Sequence, residues 1–496
     1  MKGGRWLRRA VREPARWVCN RLGWDRWMTK PLFTSTLQAE AVNVVRHNTV
    51  DAAAGRLAGW SMMSARPQAW SLHEWYRADL IQGLDAVIVA DVGVGKSSFV
   101  KTLEGTRNIA GGGRLVVFDR KRQADETGFG GEYRRLASVT GGTLIAFDPN
   151  PARGCHLNLM DPAFAAAGAA GATPQELLRL AAGVAMGAPL ADTGASNPGW
   201  ALRSALAAAT NTATSQGRTV ILEDVVAALY DPEDLSAPGP RGSDGTPLLQ
   251  QAGLATRKEI ISWGLPVALG LERYLPGGDM AGVFDGPTRG PDGEPLDLDN
   301  PLIVLDTSAL AEGSDLLAVV MLASIAWLQA KFSVIPGDKT IVWEEAYNAD
   351  TLPGVAKMQR TLVKRGRASN TAVLSVFHHV SDAPASSGIR SLLQEAAVAV
   401  IGRQDKTDDA RACVRYFNLP AWCEKSLLGL SKGQWIVRAG QGVDMWSHAR
   451  TSREVWITDT DPRASALEDP TATITDAGDG TSPAPRRGVP QAWGAG

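Results

Sequence analysis

The run Ala90-Asp91-Val92-Gly93-Val94-Gly95-Lys96-Ser97, followed by Ser98, carries the most specific chemistry in the chain. It fits the pattern Ala-x-x-x-x-Gly-Lys-Ser, the phosphate-binding loop with alanine at its first position. Gly93 and Gly95 let the backbone bend so that successive N–H groups converge on phosphate oxygens. A helix starting near Lys96 would aim its positive end at the same point. Lys96 is expected to reach the β- and γ-phosphates of ATP and Ser97 to ligate Mg²⁺, with Asp91 to Ser98 forming the cradle. The bland alternative is a glycine turn beside a surface lysine. At average residue usage a chance match in a chain this long is on the order of a few per cent, and the flanking context lowers it: Ala86-Val87-Ile88-Val89 reads as a buried strand and a helical pattern follows.

Hydrolysis needs a second strand ending in acid, to hold the metal and direct water. Two segments qualify: Leu302-Ile303-Val304-Leu305-Asp306 and Thr340-Ile341-Val342-Trp343-Glu344-Glu345. The second is preferred, because adjacent carboxylates supply both tasks: Glu344 for the metal side and Glu345 for water. Asp306 reads as a cap on the turn through Thr307-Ser308. Arg365, Arg367 and Arg403 lie downstream. Ring motors bring an arginine from the next subunit to the transition state. Arg367 and Arg403 are candidates, and each also reads as an ordinary surface arginine. His378-His379 end a strand-like run. Neighbours on a strand face opposite ways, which argues against a shared metal and leaves His378 as a candidate γ-phosphate sensor.

The elements that must position these groups alternate. Strand-like runs at 86–90, 115–118, 144–147, 302–305, 340–343, 373–376 and 398–401 are separated by helix-length segments, which predicts an α/β fold with a parallel sheet flanked by helices. Alanine-rich helical stretches replace strands between about 160 and 285 (Pro174 to Met186, Trp200 to Ser215, Leu222 to Tyr230), an all-helical insertion. The expected organisation is a basic arm (1–30), the first part of the ATPase domain (31–160), the insertion (161–285), the second part (286–460) and a disordered tail (461–496) rich in Pro, Gly, Thr and Asp.

Composition bounds the rest. Apolar residues make up 44% and charged residues 21% of the 496, which excludes wholesale disorder and fibrous structure. Net charge is −1, so the whole protein is no polycation. Residues 1–30 nevertheless hold nine Lys/Arg against Glu13 and Asp25, with Trp6, Trp17, Trp24 and Trp27 among them. That composition suits a peripheral contact with anionic lipid or nucleic acid, or simply a solvated arm. Cys19, Cys155, Cys413 and Cys423 form no C-x-x-C pair, so a reducing, cytoplasmic setting is expected. The most apolar stretch, Leu316 to Ala330, is bracketed by charge and reads as a buried helix rather than a membrane span. The first residues lack an uninterrupted apolar run, so a secretory signal is not expected.

Taken in order, the phosphate loop, Leu115-Val116-Val117-Phe118-Asp119, Gly131-Glu132-Tyr133, Gly141-Gly142, Phe147-Asp148-Pro149, Asn158-Leu159-Met160-Asp161-Pro162, Gly282 to Thr288, Glu344-Glu345-Ala346-Tyr347, Lys364 to Arg367, His378 to Asp382 and Lys432 to Ile436 span residues 70–460. This series resembles the ATPases of conjugation-type (type IV) secretion systems, the TraC-like lineage of the HerA/FtsK group, in a compact form like those of actinobacterial mobile elements. The resemblance implies a RecA-like P-loop NTPase that works as a homo-oligomer, a hexamer, at the cytoplasmic base of a channel. Secretion-channel or conjugation proteins would be its partners, and it would hydrolyse ATP with Mg²⁺ at subunit interfaces. Three departures stand out: a longer stretch between Asp119 and Glu132, Glu344 where the family has Asp, and His378 where it has Gln. The family's large N-terminal domain is not expected here. Two other readings stay open. One is a DNA translocase of the coupling-protein or FtsK kind, against which the near-neutral charge beyond residue 30 argues. The other is an ATP-binding structural subunit with little turnover.

Overall fold

The computed structural model describes residues 54–125, 128–162, 173–188, 190, 196–232, 256–346, 355–382 and 388–458. All fall in the unit Val50–Gly496. The basic arm, the tail and Tyr347 lie outside the described residues.

In chain order the elements begin with strands β1 (Arg56–Ser61) and β2 (Pro67–Trp70), helix α1 (Leu72–Arg77) and strand β3 (Asp85–Val89). Helix α2 (Lys96–Val100) continues as a π-helix over Lys101–Asn108. Next come β4 (Arg114–Asp119), a hairpin of β5 (Arg122–Asp125) and β6 (Gly128–Gly131), α3 (Arg134–Thr140) and β7 (Thr143–Ala146). Helices α4 (Pro174–Ala185), α5 (Asn197–Ser215), α6 (Leu222–Tyr230) and α7 (Arg257–Glu272) follow. The chain re-enters the sheet through β8 (Leu302–Asp306), α8 (Asp315–Val334), β9 (Lys339–Trp343), α9 (Val355–Gly366) and β10 (Thr371–Phe377). It ends with α10 (Gly388–Glu395), β11 (Val398–Ile401), α11 (Thr407–Tyr416), α12 (Trp422–Gly429), β12 (Gln434–Ala439), β13 (Gly442–His448) and α13 (Ser452–Thr458).

Eleven strands form one sheet in the order β2-β1-β13-β12-β11-β3-β10-β9-β4-β8-β7. From β11 to β7 every pairing is parallel, and all seven residues of β10 are buried, as strands covered on both faces require. The parallel sheet expected from the sequence is present, and its other edge is extended by β12, β13, β1 and β2, which add antiparallel. A two-residue turn, Gly440-Gln441, joins β12 to β13, with Gly440 at φ +55°. Glycine at the first central position is what such a tight hairpin needs.

Among the described residues between β7 and β8 the regular elements are the four helices α4 to α7, apart from an isolated bridge, His156 to Arg289, and turns and loops flank them. Thr173 with Glu176 and Thr256 with Glu259 form capping boxes that start α4 and α7. Helix α8 is long and apolar enough to cross a bilayer, yet 78% of its apolar window is buried inside the fold, as a core helix. Cys155, Cys413 and Cys423 are buried free thiols.

Register sets the site. Val89 pairs with Phe377 and Ile401, and Phe118 with Trp343 and Leu305. The carboxyl ends of the parallel strands therefore meet along one edge, where open α/β sheets bind ligands.

Candidate nucleotide site

A cleft of about 280 Å³ opens at that edge. On one side lies the loop between β3 and α2. Gly93 and Gly95 have φ of +79° and +108°, the left-handed region that favours glycine. A side-chain carbon built on Gly93 would meet no atom within 4 Å, so the bend faces open space. Gly95 caps α2 without offering a side-chain acceptor, so no cap competes for the first-turn N–H groups. Lys96 Nζ lies 2.5 Å from Ala90 O, 3.1 Å from Asp91 O and 3.0 Å from His378 Nδ1. Burial lowers its pKa to about 8 although Glu344 pulls the other way. Ser97 Oγ donates to Glu132 Oε2 at 2.9 Å.

Two cradle residues act differently from expectation. The Ser98 hydroxyl donates to Thr458 O on α13 at 3.2 Å, so any contact it makes with a ligand comes from its backbone. The Asp91 carboxylate accepts the Asp405 N–H and lies 3.3 Å from His379 Nδ1. It braces the loop against the segment after β11 rather than facing phosphate. Val92, 72% exposed, forms the loop's tip, and Val94 is buried beneath, accepting the Gly433 N–H at 3.2 Å through its carbonyl.

The opposite wall carries the acids. Glu344 and Glu345 follow β9, which Trp343 anchors by stacking on Phe118 at 3.9 Å. Glu344 is buried and accepts a 2.5 Å bond from Tyr133 Oη. Burial, reinforced by Glu132, pushes its carboxyl up to about 7. Glu345 has φ +53°, strained for a non-glycine residue, and such outliers cluster where a side chain must be aimed. Its Oε1 lies 4.0 Å from His378 Nε2, so His378 stands between Lys96 and Glu345. His379 faces the other way, toward Asp91 and Asp409.

The structure thus gathers Gly93, Gly95, Lys96, Ser97, Glu344, Glu345 and His378 around one cleft. Arg403 is close by: its carbonyl accepts the Asp91 N–H and its guanidinium pairs with Asp405 at 2.9 Å. Arg367 is not. It precedes β10, at the opposite edge of the sheet, with its guanidinium 5.6 Å from the Tyr76 ring. The length of β10 separates it from His378 by roughly 20 Å. Asp306 Oδ1 accepts the Ser308 N–H at 2.9 Å, the turn-capping role read for it. Sequence reasoning passed over Lys121 and Lys432, which line the cleft, and Glu132, which holds Ser97. Glu132 and Lys432 lay in segments read only as family motifs, and Lys121 in the stretch between Asp119 and Glu132 noted only for its length.

A glycine-bent loop between a buried parallel strand and a helix, at the carboxyl edge of a mostly parallel sheet, defines the RecA-like α/β fold of P-loop NTPases. Among solved structures the chain is similar to VirB4 of Thermoanaerobacter pseudethanolicus, with 16% identity and a TM-score of 0.55 over 81% of this chain and 97% of that one. It also matches the bacterial conjugative coupling protein TrwB, unbound, at 13% identity and TM-score 0.45 over 81% and 89% of the two chains. TrwB with ADP and Mg²⁺ matches at 13% and 0.45 over 83% and 92%. No protein-family model matches the sequence, and neither does any curated protein. The VirB4 likeness shows a shared fold, the one that the motif order implied.

Proposed function

We propose that the chain is an ATP-hydrolysing motor that energises substrate transfer through a conjugation or type IV secretion apparatus. It works as a hexameric ring at the cytoplasmic face of the membrane, with secretion-channel or conjugation proteins as partners and residues 1–30 as a peripheral membrane contact. One observation carries the reading: Lys96, His378 and Glu345 stand in line across a cleft whose floor is a glycine-bent phosphate loop. The fold shared with VirB4 supports the choice of apparatus.

The residues fit ATP with Mg²⁺. The loop N–H groups from Gly93 to Ser97 cradle phosphate oxygens. Lys96 exchanges its carbonyl acceptors for the β- and γ-phosphates. Ser97, whose hydroxyl proton goes to Glu132, would offer its lone pairs to the metal, and Glu344, bonded to the neighbouring Tyr133, stands on the same side. Mg²⁺, when bound, neutralises charge on the phosphates. Glu345 orients the attacking water and takes its proton, and His378 senses the γ-phosphate between Lys96 and Glu345. Arg403, beside the loop of its own chain, is the arginine we assign to the transition-state charge.

The test is ATP turnover by the full chain with and without DNA, beside a mass measurement. Turnover indifferent to DNA, in a hexamer, supports the proposal. Stimulation by DNA with steep salt dependence would favour a DNA translocase. ATP binding without turnover under any condition would leave a structural subunit.

A further inference from the structure

Three neighbouring parallel strands end in acids at the cleft edge. Asp119 closes β4, Asp306 closes β8 in register with it, and Glu344 follows β9. All three direct a carboxylate oxygen to one tripeptide, Gly131-Glu132-Tyr133. Gly131 N donates to Asp306 Oδ2 and Tyr133 N to Asp119 Oδ2, each at 2.7 Å, and Tyr133 Oη donates to Glu344 Oε1 at 2.5 Å. From below, the buried Lys101 Nζ donates to Glu132 O at 2.7 Å and lies 4.8 Å from the centre of the Tyr133 ring. Gly131 is required by this approach, because a side-chain carbon there would sit 2.3 Å from Asp119 Oδ2.

Burying so many ionisable groups is costly and is offset only by the hydrogen bonds and pairings they make with one another. What they fix is the Glu132 side chain. It has no exposed surface, accepts from Ser97 Oγ at 2.9 Å, and pairs its other oxygen with Lys121 Nζ at 3.3 Å. A serine hydroxyl has one proton and two lone pairs. Committing the proton to a carboxylate leaves Ser97 an acceptor toward the cleft, which is what a hard cation needs. A carboxylate behind a metal ligand also raises the ligand's basicity.

We infer that Glu132 is the positioning residue of the metal side, acting through its charge on Ser97, and that Asp119, Asp306 and Glu344 serve to hold it there. This rests on the ATP and Mg²⁺ reading above. It shifts Glu344 from expected metal ligand to support. Lys121, which both pairs with Glu132 and lines the cleft, ties the metal side to the phosphate side.

Mn²⁺ titrated into the full chain saturated with ADP, with free Mn²⁺ followed by electron paramagnetic resonance, reads this site without turnover. ADP affinity in EDTA is measured alongside. Ser97→Ala and Glu132→Ala are each expected to weaken Mn²⁺ about tenfold or more, a larger loss than either shows in ADP affinity in EDTA. The double variant should bind Mn²⁺ no more weakly than Ser97→Ala, since one residue acts through the other. Glu132→Gln, isosteric and therefore the safer fold, should lose several-fold. The inference is overturned if Glu132→Ala or Glu132→Gln binds Mn²⁺ as wild type does, or if the double variant loses the product of the two single effects. A wild-type chain that binds no ADP would defeat the nucleotide reading as well, so the two failures are distinguishable.

Discussion

The two walls of the cleft are built by different means. The phosphate wall is built on one unbroken stretch, Ala90 to Ser97, whose bends at Gly93 and Gly95 are local, with Asp91 and Val94 braced against segments further along the chain. The acidic wall is assembled from the ends of β4, β6, β8, β9 and β10, which lie up to 258 residues apart between Asp119 and Phe377. A local device depends on backbone torsions. A dispersed one depends on sheet register, and a one-residue slip in β9 would turn Glu344 and Glu345 to opposite faces. The walls should therefore fail differently: damage to the first abolishes binding, and damage to the second spares binding but removes hydrolysis or metal affinity.

Lys96→Ala tests the first wall and should have the largest effect. It removes an ammonium whose hydrogen bonds to charged phosphate are worth about 1.5–3 kcal/mol each. ATP affinity in a calorimetric titration should fall about 100-fold or more. Unchanged affinity would remove the nucleotide reading altogether. Glu345→Gln tests the second wall: turnover should drop by about 10²–10⁴, the span of general-base contributions, with ATP affinity retained. Parallel loss of binding and turnover would show that the walls are not separable.

The same division explains how much was legible beforehand. The phosphate loop and the strands that flank it could be read because glycine, lysine and β-branched runs act locally. The pairing of Glu344 and Glu345 after a strand was also visible. The partner of each acid was not, because Tyr133 and Glu344 are brought together by β4–β9 pairing and nothing in either segment specifies the other. Ser98 and Asp91 were read as cradle residues from position alone, whereas their side chains serve α13 and the segment after β11. The antiparallel edge was missed because 432–436 was absorbed as a motif, although Trp435-Ile436-Val437 and the Gly440 turn mark a hairpin. That hairpin matters to the first wall: Trp435 packs on Phe99 of α2 with ring centres 5.1 Å apart.

Gly131→Ala sharpens the comparison at lower cost to the cell of contacts around it. The added carbon collides with Asp119 and Asp306, and overpacking of this kind costs about 1–3 kcal/mol. A lowered Tm together with weakened Mn²⁺ affinity is expected, with ADP affinity in EDTA intact. An unchanged Tm would mean that the tripeptide is not clamped as described.

Glu344 gives the acidic wall a pH signature. Its folded carboxyl is raised from 4.5 to about 7, so between those values the folded chain holds a proton that the unfolded chain has lost. The stability this group contributes is full below pH 4.5 and declines as pH rises through 7. Glu344→Gln should flatten that limb, raising Tm at pH 7.5 relative to pH 4.5 by roughly 2 °C. An identical slope in wild type and variant would place the titration elsewhere.

The smallest effect is expected at Arg367. Its guanidinium lies over Tyr76 at the sheet edge away from the cleft, a contact worth about 0.5–1 kcal/mol at an exposed site. Arg367→Ala should lower Tm slightly and leave ATP turnover within about twofold of wild type. Should turnover collapse while ATP binding persists, the residue must act on another subunit. The edge of one sheet that carries Arg367 would then have to lie against the cleft of the next, and the arginine role would pass from Arg403 to Arg367. Measured on the assembled oligomer, this one substitution therefore decides which end of the sheet meets the neighbouring phosphate wall.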